Sequence, residues 1–359
     1  MAQRPGPGHA TLHDVARSAG VSRATAARVL GGYGSASASA RERVLAAAAE
    51  LRYRPNALAR SIRSGSTGTL GVIVADIGLA FFSQAVRGIA DAAHAEGFEV
   101  ILANTDEDLA AERAAVGVLL DKRVDGIIVA PASLRETGHL RDVQEHGVPI
   151  VLFDRAAADL ACDAVVVDNA AAARNAVRHL TRLGHRRVGI LVETSSSIAV
   201  DDLITAPGGP GGAMTSTLRE IGWAAGLREA GLPVSEHLVI RAAYDRADAC
   251  RVTAAALAAP DRPTALVTTD ETMTLGALDA IRERRLDLPH DLSLIGFDDL
   301  PWTSIIRPAL STIAQPVHEI GAKAAGRLLR RIAGFDGPPE TLVLRTTFML
   351  RDSTARPPA

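Results

Sequence analysis

The sequence predicts an all-α head joined to an α/β body of two lobes, each built on a doubly wound parallel sheet. Three observations carry that expectation. Up to about residue 55, apolar side chains recur at helical spacing between capping residues and glycines. From Thr69 onward, short continuous apolar runs alternate with amphipathic stretches of helical length, the pattern of βαβ units around a buried parallel sheet. Charge divides at the same place. Residues 1–68 hold ten arginines, no lysine and only Asp14, Glu42 and Glu50 as acids, a formal +7. The whole 359-residue chain is −2, so the remainder carries −9. A basic head on an acidic body reads as an anion-binding module attached to a body with other business.

Residues 1–10 are rich in proline and glycine and read as a disordered tail. Thr11 caps a first helix with Asp14 three residues on, and Leu12, Val15, Ala16 and Ala19 follow at helical spacing. Gly20 ends it. Ser22 caps a second helix that turns Ala26, Val29 and Leu30 inward and leaves Arg23 and Arg28 outside. Two short helices joined by a tight glycine turn form the helix-turn-helix plan, whose second helix enters the DNA major groove. Arg23 and Arg28 can then reach base edges or phosphates. A third helix, from Ser39 to Leu51, buries Val44, Ala47, Ala48 and Leu51. The head therefore covers residues 11–55. Residues 56–68 hold a short helix candidate and a Ser/Gly linker, marginal in water without a partner.

In the body, residues 69–359, the runs Leu70–Val74, Phe98–Ala103, Asp125–Ala130 and Pro149–Phe153 read as strands of one lobe. Arg187–Val192, Leu238–Ile240, Ala265–Thr268 and Leu292–Phe297 read as those of the other. Helices are expected from Phe82 to Glu96 and from Leu109 to Lys122. Two such lobes leave a cleft, with ligand groups at the carboxyl ends of the strands. Asp76 ends the first strand with Phe81 and Phe82 just beyond it, and Asp154 and Arg155 end the fourth. A carboxylate beside an apolar wall suits a sugar, nucleoside or similar polyol. The segment from Glu193 to Ser216 is Gly/Pro-rich around Pro207–Gly212 and is expected to be a lid over the cleft.

The continuation Tyr53-Arg54-Pro55-Asn56-Ala57-Leu58-Ala59 joins Val15-Ala16, Ala19-Gly20-Val21-Ser22, Thr25 and Arg28-Val29. Together they resemble the DNA-binding head and hinge of the LacI/GalR family of transcriptional regulators. The resemblance continues through Leu183-Gly184-His185-Arg186-Arg187-Val188, Arg219-x-x-Gly222-Trp223, Gly296-Phe297-Asp298-Asp299 and Leu310-Ser311-Thr312-Ile313-x-Gln315. It implies a periplasmic-binding-protein-like core that binds an effector and dimerises, and a homodimer on palindromic double-stranded operator DNA. The implied DNA contacts are Thr11, Ser22, Arg23, Ala24, Thr25, Arg28, Tyr53, Asn56 and Ala59. Ile62 stands where the family places an apolar wedge, usually leucine, between base pairs of the minor groove. Arg219, Tyr244, Asp270, Asp298 and Gln315 join Asp76, Phe82 and Arg155 as implied effector contacts, the effector being sugar-like. The sequence departs from the family at Leu79-Ala80, where Asn-Pro is usual, and at Asp270-Glu271, where Asn-Asp is usual. An acid in place of an amide removes a donor and adds charge, which weighs against a standard neutral sugar.

Other classes find little support. No run approaches the roughly 18 apolar residues of a membrane span, and Met1–His9 lacks the apolar core of a secretory signal, so a cytoplasmic protein is expected. Cys162 and Cys250 are isolated and read as reduced; no metal or cofactor is expected. Gly-x-Ser-x-Gly, Walker and His-Glu-x-x-His sequences are missing, so catalysis is not expected. His179 and His185 are expected at surfaces or in local hydrogen bonds. Arg351–Ala359 carries no leucine heptad, which argues against tetramers through a coiled coil. A solute-binding protein for transport would share the lobes but needs an export signal and no basic head. The expected function is a repressor whose hold on DNA is set by a small molecule in the cleft. That coupling requires the ligand to bind two states with different affinity.

Overall fold

The computed structural model describes residues 10–31, 34–53, 66–194 and 213–358, which fall into two units, Met1–Gly68 and Thr69–Ala359. In the first, α1 (Leu12–Ser18) starts on a capping box. The Thr11 hydroxyl accepts the Asp14 amide at 3.3 Å, and the Asp14 carboxylate accepts the Thr11 amide at 2.9 Å. Gly20, at φ +62°, makes the turn. In α2 (Arg23–Gly31), Ser22 Oγ accepts the Thr25 amide at 3.1 Å. The third helix, α3 (Ala38–Glu50), begins earlier than the expected Ser39, because the Ser37 hydroxyl takes the Ala40 amide at 3.2 Å. Its core is Val15, Ala16, Ala19, Ala26, Val29, Val44, Ala47 and Ala48. Side chains this small bury little area, and polar closure adds to them: Arg43 Nε on α3 donates to the Ala19 carbonyl at 3.1 Å.

In the second unit, β1 (Thr69–Val74), α4 (Ala80–Ala95), β2 (Glu99–Asn104) and α5 (Leu109–Asp121) open the first lobe. It continues with β3 (Gly126–Val129), α6 (Gly138–Glu145), β4 (Ile150–Phe153) and β5 (Asp163–Val167). The second lobe holds α7 (Asn169–Arg182), β6 (Val188–Glu193), α8 (Thr215–Glu229), β7 (Val239–Ala242) and α9 (Arg246–Ala258). It goes on through β8 (Ala265–Thr268), α10 (Glu271–Glu283), β9 (Ser293–Phe297) and β10 (Ser311–Ala314). The chain then returns. α11 (Val317–Ile332) and β11 (Thr341–Leu344) complete the first lobe, and β12 (Thr347–Met349) completes the second. The sheet orders are β2-β1-β3-β4-β5-β11 and β7-β6-β8-β9-β10-β12, the same winding twice. All neighbours are parallel except β10 with β12.

Helices on both faces explain the continuous apolar runs. Leu70, Val72 and Val74 of β1 pack with α4 and α11, and Ile73 packs with α5 and α6. In the second lobe Ile190, Val267 and Ile295 pack with α7 and α8, whereas Leu191, Leu266 and Leu294 pack with α9 and α10. The apolar runs predict four strands per lobe, and the structure has six. β5 escapes that pattern although residues 164–167 form a short buried apolar run after Asp163, which Arg327 and Arg331 of α11 hold. β10 opens on Ser311-Thr312, and the edge strands β11 and β12 leave residues exposed, so these three show no long apolar run. His185 also departs from expectation. It is buried, and its ring nitrogens meet Thr264 Oγ1 at 3.0 Å, Ser293 Oγ at 3.1 Å and the Ala355 carbonyl at 2.9 Å. These partners are distant in sequence, so no local pattern announces them. Burial holds its pKa below the ordinary imidazole value. Cys162 is half-buried and Cys250 buried, both as free thiols. Among the described residues no helix is long and apolar enough to cross a membrane.

The chain passes between the lobes three times, at residue 168, at 315–316 and at 345–346. In the first lobe α4 and α11 cross backbone to backbone: a Cβ added at Gly88 would collide with the His318 carbonyl, and one at Gly321 with that of Ala85. Gly88→Ala and Gly321→Ala should each destabilise the protein by about 1–3 kcal/mol or more, since backbone cannot yield as a side chain does. Gly326→Ala, on the same helix but with nothing within 4 Å of the new methyl, should be neutral or stabilise by about 0.5–1 kcal/mol. Chemical denaturation of the three variants would check this; equal effects would remove the close crossing as a constraint.

Candidate functional site

Strands β4 and β9 end in the same pair of residues, Phe153-Asp154 and Phe297-Asp298. Both aspartates sit at positive φ, +66° and +73°. Each keeps its amide on the neighbouring strand, Asp154 to the Val165 carbonyl at 3.1 Å and Asp298 to that of Ile313 at 2.9 Å. Left-handed backbone costs a non-glycine residue on the order of 1–2 kcal/mol, which persists only where the surroundings over-determine it. Both carboxylates line a cavity of about 1090 Å³ between the carboxyl ends of the two sheets.

On the first-lobe side, Arg155 is enclosed. Its guanidinium grips both oxygens of Glu107, at 2.5 and 2.7 Å, and donates to the Pro131 carbonyl at 3.0 Å and to Asp154 Oδ2 at 3.2 Å. Those ion pairs hold its charge on, against burial. Asp154 is 8% exposed, and burial pushes its carboxyl above the usual range although Arg155 and Arg219 pull it down. Phe82, at 4% exposure, packs edge-on against Phe81 and Phe153. Phe81 therefore offers the more open ring to the cavity.

On the second-lobe side, Arg219 of α8 donates from Nε to Asn169 Oδ1 at 2.8 Å and from a terminal nitrogen to the Thr269 carbonyl. Its guanidinium carbon lies 3.7 Å from the centroid of the Phe297 ring. Gln315 donates from Nε2 to Asp298 Oδ1 at 2.6 Å, and its Oε1 is buried without a partner among the described residues. Burial raises the Asp298 carboxyl, with Arg219 and Gln315 opposing. Asp270 caps α10 by accepting the Met273 amide at 2.9 Å, and burial pushes it up to about 6. Tyr244, just past β7, stands at the cavity edge with 45% of its surface exposed.

Of the eight effector contacts expected, the structure brings seven to this cavity: Phe82, Arg155, Arg219, Tyr244, Asp270, Asp298 and Gln315. Asp76 is not among the lining residues. Its Oδ1 accepts the Gly78 amide at 2.7 Å, so it shapes its own turn. Lining residues that the sequence reading missed include Leu79, Glu107, Leu300 and the lobe-edge acid Glu193, which accepts the Ser216 hydroxyl at 2.8 Å. The strand-end rule applied to β2 and β6 would have found Glu107 and Glu193. In the head, Ser22, Arg23 and Ala24 are exposed at the start of α2, and Thr11 at the start of α1. Thr25 is half-buried; Arg28 bends back to the Ala24 carbonyl at 3.3 Å, and Tyr53 packs against the head's core. Asn56, Ala59, Ile62 and the Pro207–Gly212 stretch lie outside the described residues. Among the described residues no group of three or more His, Cys, Asp or Glu is arranged to hold a metal ion.

An aspartate that ionises near 3.9 unfolded and about 6 folded contributes stability only while protonated in the fold; that contribution is present below about pH 4 and lost as pH rises through 6. Asp270→Asn keeps an acceptor for the Met273 amide and removes the charge. It should therefore stabilise the ligand-free protein at pH 7.5 by on the order of 1–2 kcal/mol, with the gain vanishing toward pH 4. Thermal unfolding of both proteins across that range would show it, and a gain independent of pH would contradict the assignment.

A family model described as "Bacterial regulatory proteins, lacI family" matches residues 11–56, and one described as "Periplasmic binding protein-like domain" matches residues 177–354. The chain is 32% identical over 321 residues to Catabolite control protein A of Priestia megaterium, covering 89% of this chain and 92% of that one. It is 30% identical over 345 residues to the HTH-type transcriptional repressor CytR of Escherichia coli (strain K12), covering 96% of each. The crystal structure of the lac repressor dimer bound to operator and the anti-inducer ONPF superposes with a TM-score of 0.82. That match has 27% identity and covers 97% of this chain and 100% of that one.

Proposed function

The chain belongs to the LacI family of bacterial regulatory proteins, and we propose that it is a repressor controlled by a small-molecule effector. It binds palindromic operator DNA as a homodimer, and the effector, a sugar or related metabolite, occupies the cleft. One observation carries this reading: a basic helix-turn-helix head and a two-lobed body with a cavity at its strand ends occur in a single chain. Residues 11–55 act as the DNA-binding head, 56–68 as the hinge and 69–359 as the effector-binding and dimerisation domain. Arg23 and the N-terminal turn of α2 enter the major groove, with Ser22 and Thr25 placed for phosphates. The minor-groove contacts of Asn56, Ala59 and Ile62 follow from the family resemblance.

The cavity is placed to sense. Gln315 lies on one crossing between the lobes and Asn169 immediately follows another, and these two residues bond Asp298 and Arg219. A ligand held by Asp298 and Arg219 therefore acts on the segments that set how the lobes lie. No bond-breaking step is assigned to these carboxylates, whose arrangement is that of hydrogen-bond acceptors, and the relatives are regulators. Operator DNA as the partner places the protein in the cytoplasm.

Retention on duplex DNA should fall linearly with the logarithm of salt concentration. Arg23→Ala should weaken it by about 1–3 kcal/mol if the side chain reads a base, or lower the salt slope by about 1 if it holds a phosphate. Fluorescence anisotropy at several salt concentrations distinguishes these, and binding insensitive to salt and to Arg23→Ala would end the proposal.

A further inference from the structure

Among the described residues the cavity is lined by seven carboxylates against three guanidiniums. Arg155 offers no free anion site. Four of the five N–H groups of Arg155 are already engaged by Glu107, Asp154 and the Pro131 carbonyl. Arg219 places two of its five N–H groups on Asn169 and the Thr269 carbonyl, and one face of its guanidinium is covered by Phe297. Arg135, at the rim, is exposed. The heart of the site therefore has more negative charge than its cations neutralise.

Beside the remaining N–H groups of Arg219, what is left over is acceptors. Asp154 gives one oxygen to Arg155, and Asp298 gives one to Gln315; the second oxygen of each has no protein donor among the described residues. The buried Oε1 of Gln315 also lacks one. A buried acceptor such as Gln315 Oε1 is costly without a donor, and the two carboxylate oxygens add to the demand, so the site favours a ligand that brings donors. Hydroxyls bring one donor each and an ammonium three, with the charge that desolvated carboxylates need. A phosphate or carboxylate brings only more acceptors and the wrong sign. Leu79, Phe81 and Leu300 supply an apolar wall for the carbon skeleton.

We infer that the effector carries an ammonium group among its hydroxyls: an amino sugar or an aminated polyol of similar size. This rests on the regulator reading above and narrows its ligand. Burial already raises Asp154, Asp270 and Asp298 in the ligand-free site, the strain that a bound cation relieves.

Isothermal titration of the intact protein would test it with matched sets on the glucose, galactose and mannose scaffolds. Each set holds the parent sugar, the amines at C1, C2 or C6, the N-acetyl derivative and the 6-phosphate. At least one amine should bind about ten-fold or more tightly than its parent, its N-acetyl and phosphate counterparts failing to bind. Asp298→Asn and Asp270→Asn should each shrink that amine preference about ten-fold. Equal or tighter binding of a neutral or phosphorylated member overturns the inference, as does the failure of every amine to bind. Salt-dependent DNA retention measured on the same preparation separates the two readings. If it persists without amine preference, only the ligand class falls; if it is missing, the regulator reading falls too.

Discussion

Neither lobe of the body can be completed before the other, because the chain crosses between them three times. The first lobe lacks its edge strand β11 and its face helix α11 until the second lobe has been traversed as far as β10. Asp163 at the start of β5 is then clamped by Arg327 and Arg331 of α11, so sequence-distant segments close the same sheet. The cavity inherits this constraint. Asp298 is fixed by Gln315 on one crossing, and the next residue, Asp299, is held by Thr303, Thr312 and a two-pronged contact from Arg351 near the chain's end. A side chain that lines the cavity thus hangs from backbone that the crossings determine.

The same arrangement explains why the site is energetically uncomfortable when empty. Two aspartates are held in left-handed backbone at equivalent strand ends, and burial raises both carboxyls. Such features lower the stability of the ligand-free protein, and they persist because closely packed sheets on either side leave the strand ends nowhere else to go. The compensating packing is visible in fully buried Phe153 and Phe297, one residue before each aspartate. Each ring anchors its strand end in a core, and Phe297 also supports the Arg219 guanidinium.

Features decided by neighbours in sequence were legible in it. Thr11 with Asp14, Gly20, and the apolar runs of β1, β3 and β8 all act within a few residues, so their spacing announces them. The strand-end logic reached Arg155 because β4 is a continuous apolar run. Asp76 does follow β1, but its Oδ1 accepts the Gly78 amide and it is not among the residues that line the cavity. The Glu107–Arg155 pair spans 48 residues and the His185 bond to Ala355 spans 170; pairings of that range leave no periodic trace. Edge strands β11 and β12 escaped for another reason. One face of each is solvent-facing, so the apolar signal that marks central strands is halved.

Coupling the cavity to DNA does not require a large structural energy. Asp154 belongs to the first lobe, and Asp270 and Asp298 to the second, so a ligand that touches all three bridges the lobes and prefers one arrangement of them. Differential affinities of about 1–3 kcal/mol are typical of such coupling. Operator binding by a dimer amplifies them, since two heads gain from being tethered only when their spacing matches successive grooves. A head with a core of alanines and valines gains little by itself. In the homodimer proposed above, each head gains from its partner, and so from how the two bodies present them.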